Sequence, residues 1–144
     1  MMPIRTAEAE WQGKLRDGRG MMHFDAYDGP YTSASRFEQA VGTNPEELLG
    51  AAHAGCFSMA LSGELVKASF TPERIHTTAR VHIDKDENGF TITAIDLATD
   101  ARVPGIDNAA FLRIANEAKA GCPISRALAA VPINLDARLE QKAA

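Results

Sequence analysis

The chain has two cysteines, Cys56 and Cys122, which stand in different sequence surroundings. Cys56 lies within a long apolar stretch, where a free cysteine usually packs as a small hydrophobic residue. Cys122 stands between Gly121 and Pro123, in a pattern typical of a helix start that brings the sulfur near unpaired backbone amides. Such amides stabilise a thiolate and lower the thiol pKa. Cys122 is therefore a candidate reactive thiol, with a simple helix cap as the alternative.

Three further side chains can assist a thiolate. The planar fork of donors on Arg36 can hold a thiolate or a peroxide oxygen, although most arginines near strand ends are only solvated. Glu46 can orient such an arginine, and a first-turn carboxylate that complements the helix dipole is the alternative. His53 lies one turn before Cys56, but a histidine on a buried apolar helix is more often a hydrogen-bonded core residue than a base.

Composition restricts the class of protein. The 144 residues suit one domain, or one subunit of an intertwined oligomer. The 15 basic residues are scattered and outnumbered by 19 acidic ones, so we expect no nucleic-acid partner. Because the N-terminal sequence lacks the apolar core of a signal peptide and no later stretch approaches ~20 apolar residues, we expect a soluble, cytoplasmic protein that does not bind membranes. Without a C-x-x-C or Cys/His cluster, no metal site is expected.

A long helix is predicted over about 45–67. Asn44 can cap its free amides, Pro45 fits the first turn, and Glu46 favours the positive end of the dipole. The segment from Leu48 to Leu65 is apolar nearly all round, which predicts a buried central helix. Its many small residues permit close approach by another helix, including one from a second subunit.

Strands surround this helix in the predicted fold. An antiparallel strand meander is expected over about 4–38, and a long hairpin over about 74–102 around the turn 86–89. Two helices and a final strand are expected over about 107–140. Together these elements predict a single α+β domain over residues 1–144, with antiparallel sheets packed around the central helix.

Four segments resemble a known protein family. The chain is similar to the osmotically inducible protein C (OsmC) and organic hydroperoxide resistance (Ohr) family in TNPEELLGAAHAGCFSMAL (43–61), AGCPIS (120–125), RFE (36–38) and VPGID (103–107). The sequences before the two cysteines resemble the OsmC branch more than the Ohr branch. The resemblance covers nearly the whole chain.

The resemblance implies a cysteine-based peroxidase that forms an intertwined homodimer, with active sites at the subunit interface and no metal, haem or flavin. By position, Cys56 matches the peroxidatic cysteine and Cys122 the resolving cysteine. Arg36 matches the activating arginine, and Glu46 its carboxylate partner. The implied fold is a two-layer α+β arrangement around paired central helices. The implied reductant is a small or protein-bound dithiol, with dihydrolipoyl groups as the leading candidate.

The expected reaction is reduction of alkyl or lipid hydroperoxides to alcohols, in protection against oxidative or osmotic stress. A Cys56 sulfenic acid and then a Cys56–Cys122 disulfide are the expected intermediates. An apolar site would favour organic substrates, because it buries their tails; the candidate lining residues are Phe37, Phe57, Met59 and Phe111. The alternative function is a non-catalytic protein that binds a small ligand or a partner on the same fold.

Helix geometry adds a prediction about assembly. Glu46 and Cys56 are ten residues apart, which on an unbroken helix is about 15 Å along the axis. One arginine cannot contact both directly. Either the helix is interrupted between Pro45 and Gly55, where Gly50 and other small residues would allow a bend, or the site combines residues of two subunits. An all-round apolar helix in a chain this short favours the second solution and an obligate two-fold dimer.

Overall fold

The computed structural model describes residues 2–140 of the chain. These residues fall into two compact units, with the division between Leu48 and Leu49. The division falls inside a helix that belongs partly to each unit. Helices and strands occur in both, as expected for an α+β fold.

The first unit contains a three-stranded antiparallel sheet in the order β1-β2-β3: β1 is Glu8–Gln12, β2 is Arg19–Phe24 and β3 is Tyr27–Tyr31. Asp25, with a φ of 48°, lies in the turn between β2 and β3. The ring of Trp11 on β1 packs against the ring of Tyr31 on β3, with 5.4 Å between their centroids. The predicted meander is therefore present.

The meander ends earlier than predicted. Residues Ser33–Phe37 form a short helix, α1, so Arg36 lies on a helix and not at a strand end. The cause is a capping box: the Thr32 hydroxyl accepts a hydrogen bond from the Ser35 amide, and the Ser35 hydroxyl accepts one from the Thr32 amide. This local pair satisfies two amides that would otherwise lack partners.

Helix α2, Pro45–Lys67, has the bounds expected from the sequence and is continuous. The Glu47 amide donates to Asn44 Oδ1 at 2.8 Å, which is the predicted cap. Within one chain, burial is confined to one face, formed in the second unit by Phe57, Leu61 and Leu65. Met59 on the other face is 79% exposed. No helix among the described residues has the length and apolar character needed to cross a membrane.

The second unit contains a three-stranded sheet in the order β4-β5-β6: β4 is Arg74–Asp86, β5 is Gly89–Arg102 and β6 is Ile133–Leu139. The predicted hairpin is β4 and β5, which pair antiparallel. Strand β6 pairs parallel to β5, so the expectation of purely antiparallel sheets was wrong here. A parallel connection requires the chain to return to the end of the sheet where β5 begins. The segment between β5 and β6, which contains two helices, is long enough for this.

Those two connecting helices are α3, Asn108–Gly121, and α4, Pro123–Ala127. Asp107 caps α3 by accepting a hydrogen bond from the Ala110 amide at 2.8 Å. The core of the unit forms where α2, β5 and α3 meet. Its fully buried large side chains include Phe57, Leu61, Leu65, Ile95, Leu97 and Phe111.

Candidate active site

The two cysteines meet inside the second unit. Cys56 lies in the middle of α2, and Cys122 lies between α3 and α4. Their Sγ atoms are 2.7 Å apart, and both are free thiols. Residues 66 positions apart in the sequence are thus direct neighbours. The two sulfurs can therefore exchange a proton or form a covalent bond without a rearrangement of the fold.

Cys122 has the environment that the sequence predicts. It is the N-cap residue of α4 and Pro123 occupies the first turn, as expected from the Gly-Cys-Pro pattern. Burial raises the pKa of the Cys122 thiol. The Cys56 side chain, the amide and hydroxyl of Ser125 and the Ile124 amide outweigh that effect, so the pKa is lowered overall. The amides act electrostatically, since Cys122 accepts no capping hydrogen bond of ordinary geometry.

Cys56 differs from Cys122 in pKa and in access. Burial, followed by the neighbouring Cys122, raises the pKa of the Cys56 thiol, and the Ile124 amide partly opposes this. Within the described part of the second unit, no cationic side chain is among the groups that set this pKa. Cys56 is nevertheless partly exposed, whereas Cys122 has no exposed surface. A solute can therefore reach Cys56 and not Cys122.

Arg36 and Glu46 meet inside the first unit. Arg36 Nη2 donates to Glu46 Oε1 at 2.6 Å, and Nε contacts Oε1 and Oε2 at 3.2 and 3.1 Å. The hydrogen bond to Glu46 raises the pKa of Arg36, which keeps the guanidinium charged. Only 10% of the Glu46 side chain is exposed, against 35% for Arg36. The predicted pairing of these two residues is thus present in the structure.

Local hydrogen bonds fix the two elements that carry this ion pair. The Ser35 hydroxyl on α1 donates to the Thr43 carbonyl at 2.8 Å. Asn44, which caps α2, donates from its amide to the Ser35 carbonyl at 3.2 Å. These contacts join α1 to the start of α2, because each residue bonds across the intervening loop. They fix the position of Arg36 relative to Glu46.

A groove of about 450 Å³ lies beside Arg36 in the first unit. Phe37, a predicted substrate contact, lines it, and the Arg36 guanidinium lies over the Phe37 ring with 5.1 Å to the centroid. The remaining walls are mainly aromatic or polar. The residues around the groove are Trp11, Gly13, Leu15, Tyr31, Thr32, Ser33, Arg36 and Phe37.

The other three predicted lining residues differ from one another in exposure. Phe57 and Phe111 have no exposed surface and belong to the core of the second unit, so the structure gives them a packing role instead of substrate contact. In the sequence, an apolar residue on α2 or α3 can belong either to the core or to a substrate pocket. The pattern alone does not distinguish these two roles, so the prediction for Phe57 and Phe111 was wrong. Met59 is on the exposed face of α2 and remains a candidate contact.

His53 is the buried core residue that the sequence favours over a base. Its Nε2 lies 2.8 Å from Ser125 Oγ, and its side chain is fully buried. Burial lowers the pKa of His53, so the ring is neutral at neutral pH. Ser125 is a residue that the sequence does not single out. The sequence feature that could have identified Ser125 is its position three residues after Cys122, because a side chain at that position can reach back to the cap residue of a helix.

The candidate site residues thus form two pairs, one in each unit. Arg36 contacts Glu46, and Cys56 contacts Cys122. Because α2 is continuous from Pro45 to Lys67, the interruption considered as one solution is absent. Of the two solutions given by helix geometry, the site shared by two subunits therefore stays a prediction.

Comparison with known proteins gives consistent results. The OsmC-like protein family matches residues 37–136. Peroxiredoxin OsmC of Escherichia coli (strain K12) is 48% identical over 139 residues, which cover 94% of this chain and 96% of that protein. An organic hydroperoxide resistance protein of Xanthomonas axonopodis pv. citri (strain 306) is 30% identical, with 86% and 87% of the two chains covered. A crystal structure of an OsmC-like protein from Mycoplasma pneumoniae has the same fold, with a TM-score of 0.77 at 16% identity over 98% of this chain and 100% of that one.

Proposed function

This chain belongs to the OsmC-like family, and from that premise we propose that it is a thiol peroxidase that reduces organic hydroperoxides to alcohols. The names of its relatives, a peroxiredoxin and an organic hydroperoxide resistance protein, support a peroxidase-type role. The observation that carries the proposal is the 2.7 Å separation of the two sulfurs. If one of two neighbouring thiols is oxidised to a sulfenic acid, the other can condense with it rapidly to form a disulfide.

In the first step, the Cys56 thiolate attacks the distal oxygen of the hydroperoxide. The S–O bond forms as the O–O bond breaks, and the alkoxide leaves as an alcohol after taking up a proton. The sulfur is oxidised to sulfenic acid and the peroxide is reduced. We assign Cys56 to this step because it is partly exposed, whereas Cys122 is buried.

The pKa directions favour Cys122 as the thiolate when one chain is considered alone, so Cys56 needs an added positive charge. Arg36 is the proposed source. Its guanidinium is charged, and Glu46 holds it from one side. A cation beside a thiol lowers the thiol pKa and stabilises the departing oxygen. We propose that a second subunit supplies this arginine and lowers the pKa of Cys56, which its own chain raises.

A two-fold dimer supplies that arginine. The exposed face of α2 bears Met59 and Val66, which are 79% and 58% exposed. Gly55 and Gly63 lie on the same helix, and a Cβ added at either meets nothing within 4 Å, so this face is open to close approach. Burial of this face against its symmetry mate covers an apolar surface. We propose that each active site combines the cysteines of one subunit with the Arg36–Glu46 pair of the other.

The remaining features of the proposal follow from this chemistry. An external dithiol reduces the disulfide by thiol exchange, and a dihydrolipoyl group is the candidate. The groove beside Arg36 and Phe37 would take the organic tail, which favours alkyl or lipid hydroperoxides over hydrogen peroxide. We place this activity in the cytoplasm, where it would protect against oxidative or osmotic stress.

A thiol titration tests the proposal. One equivalent of cumene hydroperoxide is added to the reduced protein, and free thiols are counted with a chromogenic disulfide reagent. We expect two thiols per chain to be lost and one equivalent of cumyl alcohol to form. Unchanged thiols would contradict the peroxidase proposal and favour the binding protein considered as the alternative. A higher kcat/KM for hydrogen peroxide than for cumene hydroperoxide would contradict the substrate preference alone.

A further inference from the structure

One wall of the groove beside Arg36 consists of two aromatic rings, those of Trp11 and Tyr31. Their centroids are 5.4 Å apart, and the two ring planes are tilted by 49°. Both side chains are partly exposed. The groove volume of about 450 Å³ falls within the range of roughly 300–1,000 Å³ for pockets that bind small organic molecules. The groove is therefore large enough for a tail that carries a ring.

The register of the first sheet places these two rings side by side. Trp11 on β1 and Tyr31 on β3 both pair with Gly20 on the central strand β2. A Cβ added at Gly20 would lie 2.5 Å from Tyr31 Cε1 and 2.8 Å from Trp11 Cε3. Both distances are too short for a real contact, so only glycine at this position lets the two rings lie over the β2 backbone. The wall is thus built into the sheet.

A local hydrogen bond fixes the indole of Trp11. Its Nε1 donates to the Gly13 carbonyl at 3.0 Å, and Gly13 has a φ of 93°, in the region that favours glycine. An indole has one donor and no acceptor, and here the donor is already used. Trp11 therefore presents its π surface to a ligand in the groove and offers it no hydrogen bond.

Arg36 supplies the polar part of the same groove. Its Nε and Nη2 donate to Glu46, whereas Nη1 takes no part in these bonds. The guanidinium also lies over the ring of Phe37, which lines the groove as well. A charged donor next to aromatic surfaces suits a ligand with an oxygen at one end and a flat apolar ring at the other.

We infer that Trp11, supported by Tyr31, is a specificity-determining residue that selects hydroperoxides whose tail carries an aromatic ring. This inference rests on the proposed peroxidase function and narrows its substrate class. The ring takes no part in bond making or breaking, so the reaction is the one given above. Contacts between aromatic rings favour binding by roughly two- to tenfold beyond the effect of the buried area. A saturated ring of similar size buries a similar area but lacks that contribution.

The first test measures binding and needs no peroxidase activity. Trp11 is the chain's one tryptophan, so the intrinsic fluorescence of the protein reports on this wall. Reduced protein is titrated with cumyl alcohol and, as the matched ligand, with its saturated cyclohexyl counterpart. We expect a saturable change in emission, with cumyl alcohol binding about fivefold more tightly. Equal affinities would overturn the inference. Emission that changes on dilution of the protein but with neither alcohol would also overturn it, because another copy of the chain would then cover the wall.

The second test measures selectivity. Trp11→Leu should lower the ratio of kcat/KM for cumene hydroperoxide to that for its cyclohexyl counterpart by about fivefold, whereas Trp11→Phe keeps a ring and should retain most of the ratio. Phe24→Leu is the matched control. It removes a ring that stacks on Tyr27 of the same sheet, at 4.8 Å between centroids, and that does not line the groove. An unchanged ratio in Trp11→Leu, or an equal fall in Phe24→Leu, would contradict the role of Trp11.

A further variant keeps the reporter and removes its support. Tyr31→Leu should weaken the binding of cumyl alcohol by a few fold while Trp11 still reports it, and wild-type affinity in this variant would contradict the supporting role of Tyr31. Failure of the wild type to consume either hydroperoxide would contradict the proposed function instead. The alcohol titrations would still be decisive for Trp11, since they need no turnover. Circular dichroism of each variant establishes that it is folded.

Discussion

The Arg36–Glu46 pair and the Cys56–Cys122 pair differ in whether the two residues stabilise each other's charge. Arg36 and Glu46 have opposite charges, several hydrogen bonds and a raised arginine pKa, so each residue stabilises the other. Cys56 and Cys122 are alike in chemistry, but their pKa values shift in opposite directions. Burial, followed by Cys122, raises the pKa of Cys56. Burial also raises the pKa of Cys122, but hydrogen bonds from Cys56, Ser125 and Ile124 outweigh it. The arginine and the glutamate of the ion pair neutralise each other, whereas no cationic side chain of residues 2–140 is among the groups that set the pKa of the partly exposed Cys56.

This difference indicates how the proposed catalyst is assembled. A thiol with a raised pKa is a weak nucleophile at neutral pH, because little of it is thiolate. The reactive form would appear when the preformed cation is brought to Cys56 by a second subunit. Such an arrangement makes activity depend on association, and it predicts that the two pairs respond differently to mutation.

The largest effect should come from the cysteine pair itself. Cys56→Ser should abolish hydroperoxide consumption, because the remaining thiol, Cys122, is buried. Cys122→Ser should complete the first attack and then stop, with Cys56 as sulfenic or overoxidised acid that mass spectrometry can locate. A stable sulfenic acid on Cys122 of the Cys56→Ser protein would instead assign the first attack to Cys122.

Substitution of Arg36 in the ion pair should slow the oxidation of Cys56 strongly, but less than substitution of the cysteines affects hydroperoxide consumption. Arg36→Ala should lower the rate constant of Cys56 oxidation by about 10²- to 10³-fold, the cost of removing one charged donor from a developing anion. Arg36→Lys keeps the charge without the fork and should retain part of the rate. Stopped-flow oxidation with cumene hydroperoxide measures both. Identical Cys56 thiolate titrations in wild type and Arg36→Ala would show that Arg36 does not activate the thiol.

Disrupting the α2 face should have an effect no larger than that of Arg36→Ala, because it separates the same arginine from Cys56. Met59→Glu places a charge on the exposed apolar face and should shift sedimentation from dimer to monomer with a parallel loss of activity. Val41→Glu is the matched control, since Val41 is fully exposed in the first unit and should tolerate the change. A monomeric Met59→Glu protein with full activity would contradict the shared site.

Local sequence signals predicted α2 and the β4/β5 hairpin well. The cap at Asn44 and the turn at Gly89 are each encoded by a few adjacent residues, and the structure has them in place. Two features were missed because they depend on distant contacts or on a weaker pattern. The parallel pairing of β6 is set by the return path of α3 and α4, and the short α1 is set by a Thr-Ser capping box inside an otherwise strand-like segment.

The site was predictable to a similar degree. Gly-Cys-Pro correctly indicated a cysteine at the cap of α4, because capping is a local feature. The lowered pKa of Cys122 is only partly local: the contribution of Cys56, 66 positions away, precedes those of Ser125 and Ile124. The approach of Cys56 to Cys122 came from family resemblance, since residues so far apart carry no spacing signal. Phe57 and Phe111 were misassigned to a substrate site because hydrophobic character does not distinguish a core from a pocket lining. The Ser125–His53 contact has no signal in a single sequence.

The smallest effect concerns the residue that joins the ion pair to its helix. Asn44 caps α2 through the Glu47 amide and also donates to the Ser35 carbonyl of α1, so it stabilises both elements that carry Arg36 and Glu46. Asn44→Ala should cost about 1–2 kcal/mol of unfolding free energy, because a cap and one further hydrogen bond are lost. Asp107→Ala, which removes the α3 cap of the second unit alone, is the matched control at about 1 kcal/mol.

Urea unfolding compares the stabilities of the two variants, and stopped-flow oxidation compares their rates of Cys56 oxidation. If the ion pair depends on its local frame, Asn44→Ala should also slow Cys56 oxidation by a few fold while Asp107→Ala does not; equal rates in the two variants would show that Arg36 and Glu46 keep their geometry without the cap.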